Sequence, residues 1–450
     1  MQDVKHLTNR RKGLLQRFLL GRGNRSAPSN RRLKEPEAKR ELRLRFVLPL
    51  LALILAGWPV YSLITGAGGG SAAARSKPVP AARAAAKLSP LDTFQSLQIS
   101  ADSLAAATLV GDRLQSPLAD GSRITYNIDV EMQEKVARYL AASRVPYGVF
   151  VAMEPKSGRV LGMVSHSSIN KEWEKSAHGQ IYPMASLFKI VTASAALEQK
   201  KVSPDTVVAF NGRLASVNPR QWEPRGRKSP EMTLTNAMGK SVNPVFGRVA
   251  SHYVGGEQLV LQANRFGFNK PLFPGTSIRP STAFPPQSDS ELKLMGAGLG
   301  REVKISPIHA AAMMAAVANR GVMMTPLLAE KVTGGGGENL YTATPMEMQR
   351  VLSEEAAQQL AKMLSTTVNS GTSRRAFHDR RGRPMLAKLN IAAKTGSIDG
   401  KEPEGQYSWF AAYAPMEDPQ IALVALVVNQ GKWNIKASNV GEKALEAFFR

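Results

Sequence analysis

Residues 148–165, GVFVAMEPKSGRVLGMVS, place two apolar runs of strand length on either side of Pro155-Lys156-Ser157-Gly158, a turn of the kind that joins antiparallel strands. Residues 407–429, YSWFAAYAPMEDPQIALVALVVN, repeat the arrangement around MEDP near the other end of the chain, and GEKALEAFFR (441–450) reads as a closing helix. Between the hairpins the pattern is mostly helical and loop. It includes ISPIHAAAMMAAVANRG (305–321), whose Gly321 suits a helix C-terminus. Ahead of the first hairpin, ITYNIDVEMQEKVARYLAAS (124–143) has a strand-like start and then helical spacing. The expected fold class is therefore α/β of the α+β kind: an antiparallel sheet assembled from both chain ends, flanked by helices, around a mainly helical insertion.

The chain has 450 residues, 43% apolar, and no cysteine, so it can bury a large core and excludes a thiol nucleophile, a disulfide framework and a thiolate metal site. Its 59 Lys and Arg against 35 Asp and Glu give a net charge of +24, which by itself suggests a binder of nucleic acid or another anionic surface. The distribution changes that reading. Residues 1–45 carry 14 bases and 4 acids, while Phe46–Ala74 carry no charge. Phe46–Thr65, FVLPLLALILAGWPVYSLIT, is 20 residues long, and a helix rising about 1.5 Å per residue then crosses a hydrocarbon core of about 30 Å. We read 1–45 as a basic cytoplasmic tail, 46–65 as a single transmembrane helix, 66–120 as a flexible linker and 121–450 as the globular domain. The basic flank predicts a cytoplasmic N-terminus with the domain on the far side of the membrane. A cleaved signal peptide is the competing reading, disfavoured by the long basic region and the length of the apolar run. Nucleic acid is not an expected partner, because the tail would have to be its site with no fold around it.

A nucleophilic hydroxyl needs a base within reach. YPMASLFKIVTASAALE (182–198) offers Ser186 and Lys189, three residues apart and so on one helix face. Ser168–Lys171 and Ser290–Lys293 have the same spacing in polar stretches, whereas Ser186 opens an apolar run at the positive end of a helix dipole. Ser-x-Asn occurs at Ser168, Ser216 and Ser241. Only Ser241-Val242-Asn243 follows a helical pattern (LTNAMGK, 234–240) and precedes a proline, Pro244, at a turn from which side chains can enter a cleft. Ser216 lies in a Pro/Arg-rich loop, and Ser168 precedes the nucleophile candidate. Lys156-Ser157-Gly158 is the hairpin turn. Lys394-Thr395-Gly396 ends a strand-like run, NIAAKTGS (390–397), whose glycine lets another backbone approach.

Taken in order, the motifs at Ser186, Ser241 and Lys394 resemble those of the penicillin-binding protein and serine β-lactamase superfamily. The first hairpin, GAGLGREVKISPIHAAAMMAAVANRGVMMTP (296–326) and the strands after KTGS extend the resemblance over roughly residues 121–450. It implies a penicillin-binding transpeptidase fold with a five-stranded antiparallel sheet. The function it implies is that of a bacterial, membrane-anchored, serine-type peptidoglycan D,D-transpeptidase that cross-links stem peptides through a Ser186 acyl-enzyme and is inhibited by β-lactams. Ser186 is then the nucleophile, and Lys189 the general base, kept neutral by burial and by the Lys394 charge. Ser241 relays a proton to the leaving amine and Asn243 holds the substrate amide. Lys394, Thr395 and Ser397 receive the substrate carboxylate. The N–H groups of Ser186 and Ser397, beside Gly396, form an oxyanion hole, in which each donor contributes about 3–4 kcal/mol. Transpeptidases more commonly carry Pro-Gly before the nucleophile, where this chain has Met184-Ala185.

The same resemblance sets the alternatives and partners. A β-lactamase needs a deacylation base, and no Glu-x-x-x-Asn of the class A type lies between Lys189 and Lys394. A D,D-carboxypeptidase and a non-enzymatic β-lactam-binding sensor or scaffold of the cell-wall machinery remain as alternatives. The inner membrane, stem peptides and a separate membrane glycan polymerase with division or elongation proteins are the expected partners, since residues 67–120 leave no room for a polymerase domain. No cofactor or metal is expected: His6, His166, His178, His252, His309 and His378 lack ligand spacing. Arg374, Arg375, Arg380, Arg381 and Arg383 read as a solvated loop, with contact to an anionic glycan or partner as the alternative.

Overall fold

The computed structural model describes residues 90–450 except Lys432; the expected tail (1–45), the expected transmembrane helix (46–65) and residues 66–89 of the expected linker lie outside the described residues. Among the described residues no helix is long and apolar enough to cross a membrane.

Residues 91–120, expected as linker, are folded. Helix α1 (Thr93–Ser103) is capped by Asp92, which accepts from the Gln95 N–H at 2.8 Å. Strands β1 (Thr108–Val110) and β2 (Arg113–Pro117) form a hairpin, and β2 pairs with β3 (Arg123–Tyr126). The strands Ala329–Thr333 and Asn339–Thr342 complete a small sheet with them. The buried Tyr126 hydroxyl ties α1 to β2 through Ser100 O at 3.1 Å and Ser116 Oγ at 3.0 Å. Asn127 Nδ2 donates to Leu327 O and Ala329 O, both at 3.0 Å. These strands are three to five residues long, and apart from the strand-like start at Ile124 local periodicity carries no sign of them, since the sheet is closed by pairing of β3 with a strand roughly 200 residues on.

From here the expected plan holds. Helix α2 (Val130–Ala142) buries Met132, Val136 and Leu140, one stripe at four-residue spacing. Strands β4 (Tyr147–Met153) and β5 (Val160–His166) form the first hairpin. At its turn Gly158 has φ +81°, and a Cβ there would sit 2.2 Å from Thr325 O, so glycine is required. The insertion brings α3 (Phe188–Glu198), α4 (Leu234–Lys240), α5 (Asn243–Arg248) and α6 (Pro307–Ala318), in which all twelve residues are buried. Strands β6 (Ala392–Lys401), β7 (Glu404–Ala414) and β8 (Ile421–Asn429) follow, then α7 (Ala437–Phe448). The main sheet has the order β6-β7-β8-β4-β5, antiparallel throughout, with β8 joining the two ends of the chain.

Alternation along β8 separates the two layers of core. Leu423, Ala425 and Val427 pack with Met132 of α2 and Leu445 of α7, whereas Val424, Leu426 and Val428 belong to the core that contains α6. Strand β6 is left at the sheet edge, and the nucleophile candidate lies against it.

Candidate active site

Ser186 reaches that edge through a constrained segment. Tyr182–Pro183 pairs with Lys304–Ile305, Met184 N–H donates to Val303 O at 2.9 Å, and Trp409 Nε1 of β7 donates to Pro183 O at 2.9 Å. A 3-10 turn, Ala185–Leu187, leads directly into α3, so Ser186 stands at the helix N-terminus as expected. Ala185 has φ +52°, a left-handed conformation that costs a residue with Cβ about 1–2 kcal/mol. Glycine, commoner at this place in transpeptidases, adopts it freely. Opposite, Gly298 packs so closely that a Cβ would lie 2.3 Å from Ala185 O and 2.8 Å from Ser186 Cα. The Gly396 Cβ position is 3.3 Å from Ser186 N, so β6 passes beside the nucleophile's amide. Ser186 is 9% exposed.

The Lys189 amine lies 2.7 Å from Ser186 Oγ, 2.8 Å from Asn243 Oδ1 and 2.5 Å from Ala297 O. Two of these three neighbours can only accept. A neutral amine would direct its two N–H bonds to Asn243 and Ala297, leaving its lone pair aimed at the Ser186 hydroxyl. Burial, and then the Lys394 charge, hold Lys189 well below the usual lysine range. Asn243 is oriented in turn by its own Nδ2–H, which donates to Ser216 O at 3.2 Å. Both ends of the amide that was expected to hold substrate therefore already have protein partners.

Lys394 is wholly buried, which lowers its pKa to about 7, and its amine donates to Ser241 Oγ at 2.8 Å and to Thr395 O at 2.7 Å. Ser241 ends α4 with φ +56° and presents its hydroxyl toward the third motif. Because it accepts from Lys394, its own proton remains available. Thr395 and Ser397 follow on β6, where Ser397 is exposed beside a cavity of about 540 Å³ whose walls include Val217, Leu299, Tyr407 and Trp433.

The low pKa of Lys394 has a consequence for stability. Below about pH 7 folded and unfolded chains both carry its proton, whereas above 7 and up to the usual lysine value only the unfolded chain does. The unfolded state then binds more protons, so stability rises with pH across that window, by at most about 1.4 kcal/mol per unit from this group. Denaturant midpoints between pH 7 and 9.5 should increase for the wild type and flatten in Lys394→Met; equal slopes would show that Lys394 titrates normally.

All eight expected site residues are thus brought to one cleft. The decoys Ser168, Ser290 and Lys156 are not hydrogen-bonded into it: Lys156 pairs with Asp418 at 2.8 Å, Ser168 Oγ donates to Arg144 O at 3.4 Å, and Ser290 lies in the first turn of the helix Asp289–Gly296, at the end away from Ala297. Ser216, set aside in the sequence, does enter, through its carbonyl rather than its hydroxyl, and the Ala297 carbonyl and Gly298 enter the same way. Backbone groups leave no residue signature, apart from the glycine at 298.

The arrangement matches a known class. Over residues 148–449 the chain matches the family model described as the penicillin binding protein transpeptidase domain, and the chain belongs to that family. It is 28% identical over 319 residues to the peptidoglycan D,D-transpeptidase PbpA of Mycolicibacterium smegmatis, covering 63% of this chain and 62% of that protein. To stage V sporulation protein D of Bacillus subtilis it is 27% identical over 342 residues, covering 70% and 51%. The chain thus spans between half and two thirds of the length of these relatives. Its fold is that of PBPA from Mycobacterium tuberculosis, with a TM-score of 0.61 and 22% identity over 73% of this chain and 82% of that one. The imipenem acyl-enzyme complex of penicillin-binding protein A from the same organism gives 0.60 and 23%, covering 73% and 79%.

Proposed function

We propose that this protein is a membrane-anchored peptidoglycan D,D-transpeptidase. The observation that carries the reading is the Lys189 amine, buried, depressed in pKa and 2.7 Å from Ser186 Oγ. The Ser186 oxygen attacks the carbonyl of the penultimate D-alanine while its proton passes to Lys189. The oxyanion is held by the N–H groups of Ser186 and Ser397. The carbon–nitrogen bond to the terminal D-alanine then breaks, its amine taking a proton through Ser241, and an ester on Ser186 remains. An acceptor amine attacks that ester to form the cross-link and restores the Ser186 proton. Lys394, Thr395 and Ser397 receive the terminal carboxylate, and the cavity beside Ser397 takes part of the peptide.

The expected tail, span and tether at 1–89 would hold the domain outside the bacterial inner membrane, working beside a separate glycan polymerase. Incubation with fluorescent penicillin followed by peptide mapping tests the chemistry: label is expected on the peptide containing Ser186. Folded protein that takes no label, or label on another residue, would overturn the reading. D-Alanine release from a stem peptide, with and without an acceptor amine, then separates cross-linking from hydrolysis.

A further inference from the structure

The two sides of the cleft are joined by a short corner that neither the three motifs nor the mechanism uses. Gly371 and Thr372 precede the turn Arg374–Phe377 and lie between α4, which carries Ser241, and β6, which carries Lys394 and Thr395. Thr372 N–H donates to Gly239 O of α4 at 3.0 Å. A Cβ at residue 371 would sit 2.3 Å from that same carbonyl, so only glycine lets the two backbones come this close. From this anchor the Thr372 hydroxyl reaches across to Thr395 Oγ1 at 2.5 Å, while its distance to Gly239 O is 3.4 Å.

Either hydroxyl can donate in that pair, and the direction in which Thr372 donates is the one that frees the Thr395 proton for a ligand. Thr372 has one hydroxyl proton and two oxygens within reach. The hydroxyl's approach to Gly239 O, 3.4 Å, lies beyond the usual O–H···O range of about 2.5–3.0 Å, so its close partner is Thr395 Oγ1 at 2.5 Å. With Thr372 as donor, Thr395 turns its own proton elsewhere, and the open side is the cleft. We infer that Thr372 is a positioning residue: it fixes the rotation of the Thr395 hydroxyl so that it donates to the carboxylate of the acyl donor. The inference rests on the reading of Thr395 as a carboxylate-binding residue and adds the group that aims it. Thr372 is exposed, so its side chain is not needed to fill the core.

The test compares acylation by benzylpenicillin with acylation by its methyl ester, which keeps the reactive ring but loses the anion. Thr372→Val keeps the branched shape and removes the hydroxyl. It should slow the second-order acylation constant for benzylpenicillin about tenfold, the scale of one hydrogen bond to a charged group, and change that for the ester less than twofold. Thr372→Ser should restore the wild-type ratio. Equal slowing with both compounds in Thr372→Val would mean a merely structural corner, and no slowing with either would mean no role; each overturns the inference. Failure of wild-type protein to react with benzylpenicillin at all would instead sink the transpeptidase reading, so the two failures are distinguishable.

Discussion

Lys189→Met should lower the acylation rate by fluorescent penicillin by about a thousandfold, while the folded protein persists. Lys189 is wholly enclosed, and among its three polar neighbours only Ser186 has a proton to give. No other basic nitrogen is hydrogen-bonded to Ser186 Oγ among the described residues, so the loss should approach the upper part of the range for a general base, about 10²–10⁴. Methionine fills a similar volume. Two opposing terms decide stability: the variant no longer buries an amine, but it leaves Asn243 Oδ1 and Ala297 O without that donor. Their partial cancellation predicts a small change in melting temperature. Acylation within tenfold of wild type would show that another group takes the proton.

Gly298→Ala should combine a loss of stability with a loss of acylation, and a second glycine serves as its control. Gly298 and Gly111 both have positive φ, +72° and +64°. A Cβ at 111 meets nothing within 4 Å, whereas one at 298 would lie 2.3 Å from Ala185 O and 2.7 Å from Ala185 C, backbone atoms that cannot step aside alone. Gly111→Ala should therefore cost only the left-handed penalty, about 1–2 kcal/mol, with acylation intact. Gly298→Ala should cost about 3 kcal/mol or more and push the Ser186 turn away from Lys189 and β6. Denaturant titration and the acylation rate, measured on both variants, separate the two effects. Normal acylation in Gly298→Ala would mean that the nucleophile tolerates displacement.

The sheet was legible in the sequence because its strands are long, β-rich and joined by recognisable turns, and because the α6 pattern is apolar all round. The small sheet was not. Thr108–Val110 is three residues long and exposed, and it and Arg113–Pro117 join a sheet closed by Ala329–Thr333 through Arg123–Tyr126, the one strand of the three whose start was legible, so a polar stretch read as tether is held in a sheet that no local window contains. In the site, side chains that carry charge or a nucleophile could be placed by their order along the chain: Ser186, Lys189, Ser241, Asn243 and Lys394 all meet. What escaped was the scaffold that aims them. The Ala297 and Ser216 carbonyls act through backbone, which every residue has, and Thr372 is an ordinary threonine until its neighbour is known. Asn243 is also engaged before any ligand arrives, accepting from Lys189 and donating one of its two N–H bonds to Ser216 O, which leaves the other for the substrate role expected of it.

Strand β8 (Ile421–Asn429) is among the last parts of the described chain to be made and stands at the centre of the sheet, between β7 and β4. Until it docks, the hairpin near residue 150 and the strand bearing Lys394 are separate pieces, with residues 167–391 between them. Pairing over such separations is slow compared with helix formation. A chain arrested before residue 421 would already carry every expected residue of the site but would lack the central strand that ties β6 and β7 to the first hairpin. The reactive groups would therefore be made before the strand that locks the sheet beside them, and the last step of folding would fix a cleft whose chemistry is already on the chain.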